Sequence, residues 1–142
     1  MTHVLLPRVG VARRLSRPIA VAGAGVLAVS ALVLHDPHVA GSWGVCPFLA
    51  LTGLYCPACG GLRAVNDLAH LRLADAVDSN VLAVSMVAYG TLVWLVWTVA
   101  QLRGKRFAYR PWLSPAVMIV LLVVAVVFAV IRNLPFGSWL AP

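Results

Sequence analysis

Three runs without a single charged residue decide what this chain can become. They are Pro18 to Leu34 (PIAVAGAGVLAVSALVL), Val81 to Ala100 (VLAVSMVAYGTLVWLVWTVA) and Pro115 to Ile131 (PAVMIVLLVVAVVFAVI). At about 1.5 Å per residue, helices of this length reach roughly 25–30 Å, enough for the hydrocarbon core of a bilayer. A helix also satisfies its own backbone hydrogen bonds, as lipid requires. Composition agrees: 62% of the 142 residues are apolar and 11% charged, whereas a soluble domain carries about 25% charged residues. The expected fold class is an all-α membrane protein, one domain over residues 1–142. It has three transmembrane helices and an extracytoplasmic, cysteine-bearing helical hairpin between spans 1 and 2.

Charge sets the expected orientation. Arg8, Arg13, Arg14 and Arg17 precede the first run, and Arg103, Lys105, Arg106 and Arg110 separate the second from the third. All four acids, Asp36, Asp67, Asp75 and Asp78, lie between the first and second runs, with only Arg63 and Arg72 beside them. Lys and Arg accumulate on the cytoplasmic side of short loops. The expected order is therefore a basic cytoplasmic N-terminus (1–17), span 1 (18–34), an external cysteine cap (35–79) and span 2 (80–100). A basic cytoplasmic loop (101–114), span 3 (115–131) and an external tail (132–142) follow. Tyr109 and Trp112 suit an inner aromatic belt, and Trp43 and Trp139 an outer one. The first run could also be a secretory signal with Ala28-Val29-Ser30 as its cleavage site. Its continuation through Leu34 without a polar stretch favours a retained helix. The net charge of +7 sits at the edges of apolar runs, which excludes nucleic acid as a partner. The bilayer and other membrane proteins are the expected partners.

Every cysteine lies in one stretch of the cap, CPFLALTGLYCPACGG, Cys46 to Gly61. Pro57 suits the first position of a helix that could run to about His70. If residues 59–70 are helical, Cys59, Arg63, Asn66 and His70 share one face, and Leu62, Val65 and Ala69 the other. The polar face either meets water, the plainer expectation, or builds a site toward an outer pocket. Asp75 opens a short amphipathic piece, LADAVDSN, that leads into the second span.

Three chemistries suit the thiols. A disulfide from Cys46 could staple the cap, leaving one thiol over. Cys56 and Cys59 form a CxxC pair, the spacing of dithiol exchangers, although no thioredoxin-like βαβ pattern surrounds it. Cys46, Cys56 and Cys59 could also ligate a zinc-like ion, with His70 the best fourth ligand and His35 and His38 behind it. No other cofactor is called for. The chain contains no Glu, no paired acids within a helix, no nucleophile elbow and no phosphate loop. A catalytic set is therefore not expected.

These residues resemble family 2752 of the bacterial domains of unknown function. Cys46, Pro47, Thr52, Gly53, Cys56, Pro57, Cys59, Gly60, Arg63, Ala64 and Asn80 match its pattern. Arg132, Asn133, Leu134 and Pro135 match its tail, so the resemblance covers about Trp43 to Pro142. Gly61-Leu62 stand where a Thr is usual, and Val81 where a Pro is usual. The resemblance implies a small multi-pass protein of a bacterial cytoplasmic membrane and no assigned activity. It also implies that Arg132 meets the Arg63 helix at the outer face, where a buried guanidinium seeks carbonyls or a carboxylate such as Asp67. The cap residues of interest are thus Cys46, Cys56, Cys59, Arg63, Asn66, Asp67, Arg132 and Asn133. The expected function is a non-enzymatic accessory or assembly partner of a larger membrane complex, with a cysteine-stapled cap. Disulfide exchange and metal binding are the alternatives.

Overall fold

A computed structural model describes residues 10–105, 107, 112 and 114–141. The flank residues Arg8, Arg106, Tyr109 and Arg110 lie outside them. In chain order the helices are α1 (Val11–Leu34), α2 (Pro47–Thr52), α3 (Gly61–Ala69), α4 (Leu73–Leu102) and α5 (Pro115–Arg132). A 3₁₀ turn over Pro135–Leu140 follows. No strand occurs among the described residues. α1, α4 and α5 are each long and apolar enough to cross a membrane.

α1 starts seven residues before the charge-free run, at Val11 rather than Pro18. The Gly10 carbonyl accepts from the N–H groups of Arg13 and Arg14, so the basic flank is already helical. Pro18 lacks an N–H to continue the ladder. Its carbonyl accepts from Trp94 Nε1 at 3.0 Å, which ties α1 to α4. α5 begins on a strong local signal. Ser114 is the N-cap, its hydroxyl accepting from Val117 N at 3.3 Å, and Pro115 occupies the first turn.

The three long helices alternate in direction. At one end Arg14 of α1 sits so close to Gly104, past the end of α4, that a Cβ there would come within 2.5 Å of its guanidinium. At the other end the last residue of α5, Arg132, reaches the cysteine loop between α1 and α4. Apolar side chains such as Leu27, Leu92, Ile119 and Leu122 remain exposed along the spans, as expected where the surrounding solvent is lipid. The most buried part of the molecule is the cap. Ala64, Asn66, Asp67, Ala76, Asn80 and Arg132 are all enclosed there.

α4 is two helices joined at a kink. Asn80 adopts an extended conformation (φ −170°, ψ 97°) that separates the amphipathic Leu73–Ser79 piece from the long apolar one. Its Oδ1 accepts from Ala83 N at 2.9 Å, the bond of an N-cap to the third residue of a helix. The break thus falls immediately before Val81, where the second charge-free run begins.

Candidate metal centre

The thiol loop is shaped by local rules. Cys46 is the N-cap of α2, Pro47 occupies the first turn, and Gly53 ends the helix in the left-handed region at φ 69°. Thr52 reinforces this exit: its hydroxyl donates to Phe48 O at 2.6 Å and accepts from Leu54 N at 3.2 Å. Gly60, at φ 81°, launches α3. The helix expected from Pro57 therefore begins only at Gly61, because a left-handed residue cannot lie inside a right-handed helix. Cys56 to Gly60 form a turn, closed by Cys59 N donating to Cys56 O at 3.1 Å.

This path gathers all three sulfurs. The Cys46 thiol lies 3.5 Å from Cys56 Sγ, and Cys56 and Cys59 are 3.1 Å apart. All three Sγ atoms fall within 4.8 Å of one another, and all three are free thiols. The staple favoured on sequence grounds is thus not formed here. A tetrahedral ion bonded at about 2.3 Å holds its sulfurs about 3.8 Å apart, so the cluster could close on one with shifts of about 1 Å or less. The thiols differ electrically. Burial pushes Cys59 up to about 12, helped by its hydrogen bonds with the other two thiols. Cys46 is held below the usual thiol value, first by the Leu49 N–H at the start of α2 and then by the Cys56 thiol.

Three buried or half-buried polar side chains clamp the loop from the span ends. Asn80 Nδ2 donates to Pro57 O at 3.0 Å and to Cys59 O at 2.9 Å. Arg132 Nη1 donates to Cys56 O at 2.9 Å and Cys59 O at 3.1 Å, and Nη2 to Leu140 O at 2.9 Å. Asn133 pairs with Tyr55 as a second backbone would, accepting from its N–H and donating to its carbonyl, both at 2.8 Å. The guanidinium of Arg132 also packs over the rings of Phe128 and Tyr55. Arg132 is 1% exposed, and no aspartate pairs with it among the described residues.

α3 reverses the plainer expectation. Its buried residues are Ala64, Asn66 and Asp67, while Leu62 is 46% exposed. The polar side faces inward because each group finds a partner there, as burial demands. Asn66 Nδ2 donates to Leu32 O at 2.8 Å, a carbonyl in the last turn of α1 with no helical partner of its own. Asp67 accepts from Arg72 Nη2 at 2.7 Å and Ser79 Oγ at 3.1 Å, with His38 Nε2 3.3 Å away. His38 also contacts Asp36, and its backbone N–H and ring hold the Asp36 carboxyl below its usual value. Asp67 is thereby committed, and Arg132 takes carbonyls.

Residues 46–95 match the DUF2752 family. The family is described as a protein of unknown function. Comparison with curated proteins gave no match, and neither did comparison with solved structures. The DUF2752 segment contains all three cysteines, α2, α3 and more than half of α4. The tail motif beginning at Arg132 lies beyond it, yet Arg132 and Asn133 supply four of the bonds that hold its loop.

Of the residues singled out from the sequence, Cys46, Cys56, Cys59, Arg132 and Asn133 meet in one place. Asn66 and Asp67 organise α3 behind it, and Arg63, half-buried, lines a cavity beside it. His70 contributes nothing to the sulfur cluster. It caps the far end of α3, its Nδ1 2.8 Å from Asn66 O, and nine helical residues separate it from Gly60. His35 lies against Ser42 and Trp43, and His38 between two aspartates, so neither joins the sulfurs. Asn80, which matches the family pattern but is not among the cap residues expected from the sequence, is the further member of the site. Its position directly before an apolar run signals an N-cap.

Proposed function

We propose that this chain is a non-enzymatic, multi-pass membrane protein whose cap binds one thiophilic metal ion through Cys46, Cys56 and Cys59. The convergence of three free sulfurs within 4.8 Å carries the reading. Arg132 supports it. A buried guanidinium is stable only beside compensating negative charge or a full set of acceptors, and Arg132 Nε has no hydrogen-bond partner among the described residues. Three thiolates around a divalent ion carry a net charge of −1, which would balance it. A disulfide is neutral and would not. Disulfide exchange at Cys56 and Cys59 draws support from their 3.1 Å separation, but it leaves unused the third sulfur, Cys46, 3.5 Å from Cys56.

The basic flanks Arg13, Arg14, Arg17, Arg103 and Lys105 against the aspartates of the cap favour an N-terminus inside and a cap outside. Labelling intact cells with a membrane-impermeant maleimide tests this, with the metal removed so that Cys46 can react, and K105C as the inner reporter. An accessory role beside a larger membrane complex would appear as a stable partner in gently solubilised membranes.

The metal reading is tested on reduced, full-length protein in detergent. One equivalent of zinc or cobalt per chain is expected, with a sulfur-to-cobalt charge-transfer absorption that is lost in C59S and in C46S. Reduced protein that takes up no metal would overturn the reading.

A further inference from the structure

The sulfur cluster has a closed side and an accessible side. On the closed side, the carbonyls of Cys56 and Cys59 point into Arg132 and Asn80, and the tail turn lies behind them. On the other side a cavity of about 540 Å³ is lined by both Cys46 and Cys59. A volume of this size admits a small organic molecule. Its walls carry apolar surface from Trp43, Leu49 and Tyr55 and one charged side chain, Arg63. The single hydrogen bond of Arg63 among the described residues is the long one from Nε to Pro37 O, 3.4 Å. Its terminal nitrogens are therefore available to an anion, and a guanidinium takes a carboxylate in a two-point fork.

The protein supplies three of the four ligands that a tetrahedral ion takes, and the three described histidines are engaged elsewhere. The fourth ligand must come from outside the chain's described residues, through the cavity. A sulfur-rich, soft site favours another thiolate.

We propose that this cavity binds a small mercaptocarboxylate, its sulfur completing the coordination of the bound metal and its carboxylate held by Arg63. The proposal rests on the metal reading above. On binding, a sulfur–metal bond forms, a metal-bound water leaves and the ligand's thiol proton passes to solvent. No electrons are transferred. With the ligand's thiolate the metal–sulfur centre carries −2, of which Arg132 offsets one charge, and Arg63 balances the carboxylate.

The test uses the full chain in detergent loaded with Co²⁺, whose visible absorption reports its ligand set. Mercaptoacetate is titrated beside 2-mercaptoethanol, which lacks the carboxylate, and acetate, which lacks the thiol. Mercaptoacetate is expected to change the cobalt spectrum and saturate at about tenfold lower concentration than 2-mercaptoethanol, with acetate leaving the spectrum as it was. R63Q, with its cobalt content measured in the same sample, is expected to abolish that tenfold advantage. A loaded protein whose spectrum ignores mercaptoacetate overturns the proposal. So does equal saturation by the two thiols, an R63Q variant that keeps the advantage, or loss of absorption as mercaptoacetate extracts the cobalt. Failure of the wild-type chain to load cobalt overturns the metal reading itself, a separate result.

Discussion

Asn80 and Arg132 donate to the same acceptor. The carbonyl of Cys59 receives Asn80 Nδ2 at 2.9 Å and Arg132 Nη1 at 3.1 Å, from two different spans. That shared oxygen ties α4, α5 and the cysteine loop into one unit at the cap.

Asn80 does two jobs, and its removal should show both. In N80A the span loses an N-cap, worth about 1 kcal/mol, and the carbonyls of Pro57 and Cys59 lose a donor, for a further 1–2 kcal/mol or so. The expected loss is about 2–3 kcal/mol in detergent unfolding, together with faster alkylation of Cys59. N80D keeps the acceptor for Ala83 N but sets a buried carboxylate oxygen against the carbonyls of Pro57 and Cys59, so it should not recover wild-type stability. Equal stability of N80A and wild type would contradict the double role.

Arg132 offers a test of charge against shape. R132K retains the positive charge and cannot reach Cys56 O, Cys59 O and Leu140 O together. R132Q loses the charge as well. If the guanidinium balances a metal–thiolate cluster, zinc affinity should fall about tenfold or more in R132Q, the scale of outer-shell effects at metal sites, and less in R132K. Competition with a chromophoric chelator measures both.

Cys46 and Cys59 should titrate in a fixed order in metal-free protein. Cys46 is held below its usual value and should react with iodoacetamide at lower pH than Cys59, which is pushed up to about 12. The stability signs are opposite. The raised Cys59 contributes stability fully below its ordinary value of 9.0 and loses it as pH climbs toward about 12. The lowered Cys46 contributes above 9.0 and loses it as pH falls through its lowered value. Mass-spectrometric alkylation profiles give the order directly, and simultaneous labelling of Cys46 and Cys59 would count against it.

Gly137 should tolerate no side chain. A Cβ there would overlap the carbonyl oxygen of Ile131 and press on its side chain. G137A is expected to lift the 3₁₀ turn off α5 and pull Leu140 O away from Arg132, at a cost of about 1–3 kcal/mol, typical of an overpacked site. Increased protease cleavage after Leu134 would report the lifted turn.

Much of the architecture is legible without coordinates. The charge-free runs announce the long helices, and LADAVDSN announces the amphipathic lead into α4, because both depend on neighbours in sequence; the break between them at Asn80 appears only in the structure. α2 shows no periodic pattern at six residues, although Pro47 and Gly53 bracket it with ordinary start and stop chemistry. The inward polar face of α3 is hidden from the sequence for a different reason. Whether Asn66 and Asp67 meet water or protein depends on Leu32, Ser79 and His38, which no local pattern connects to them. The choice of carbonyls by Arg132 is likewise a long-range outcome, settled by Asp67 being taken already.

The placement of Arg132 and Asn133 also bears on biosynthesis. Arg132 lies 73 residues after Cys59 along the chain. Until Arg132 and Asn133 are made, the cysteine loop lacks both contacts to Tyr55 and the guanidinium donors to Cys56 and Cys59. A ribosome would therefore release three thiols long before it releases the groups that fix their spacing. The sulfurs would be made early and fixed only once the end of α5 is in place.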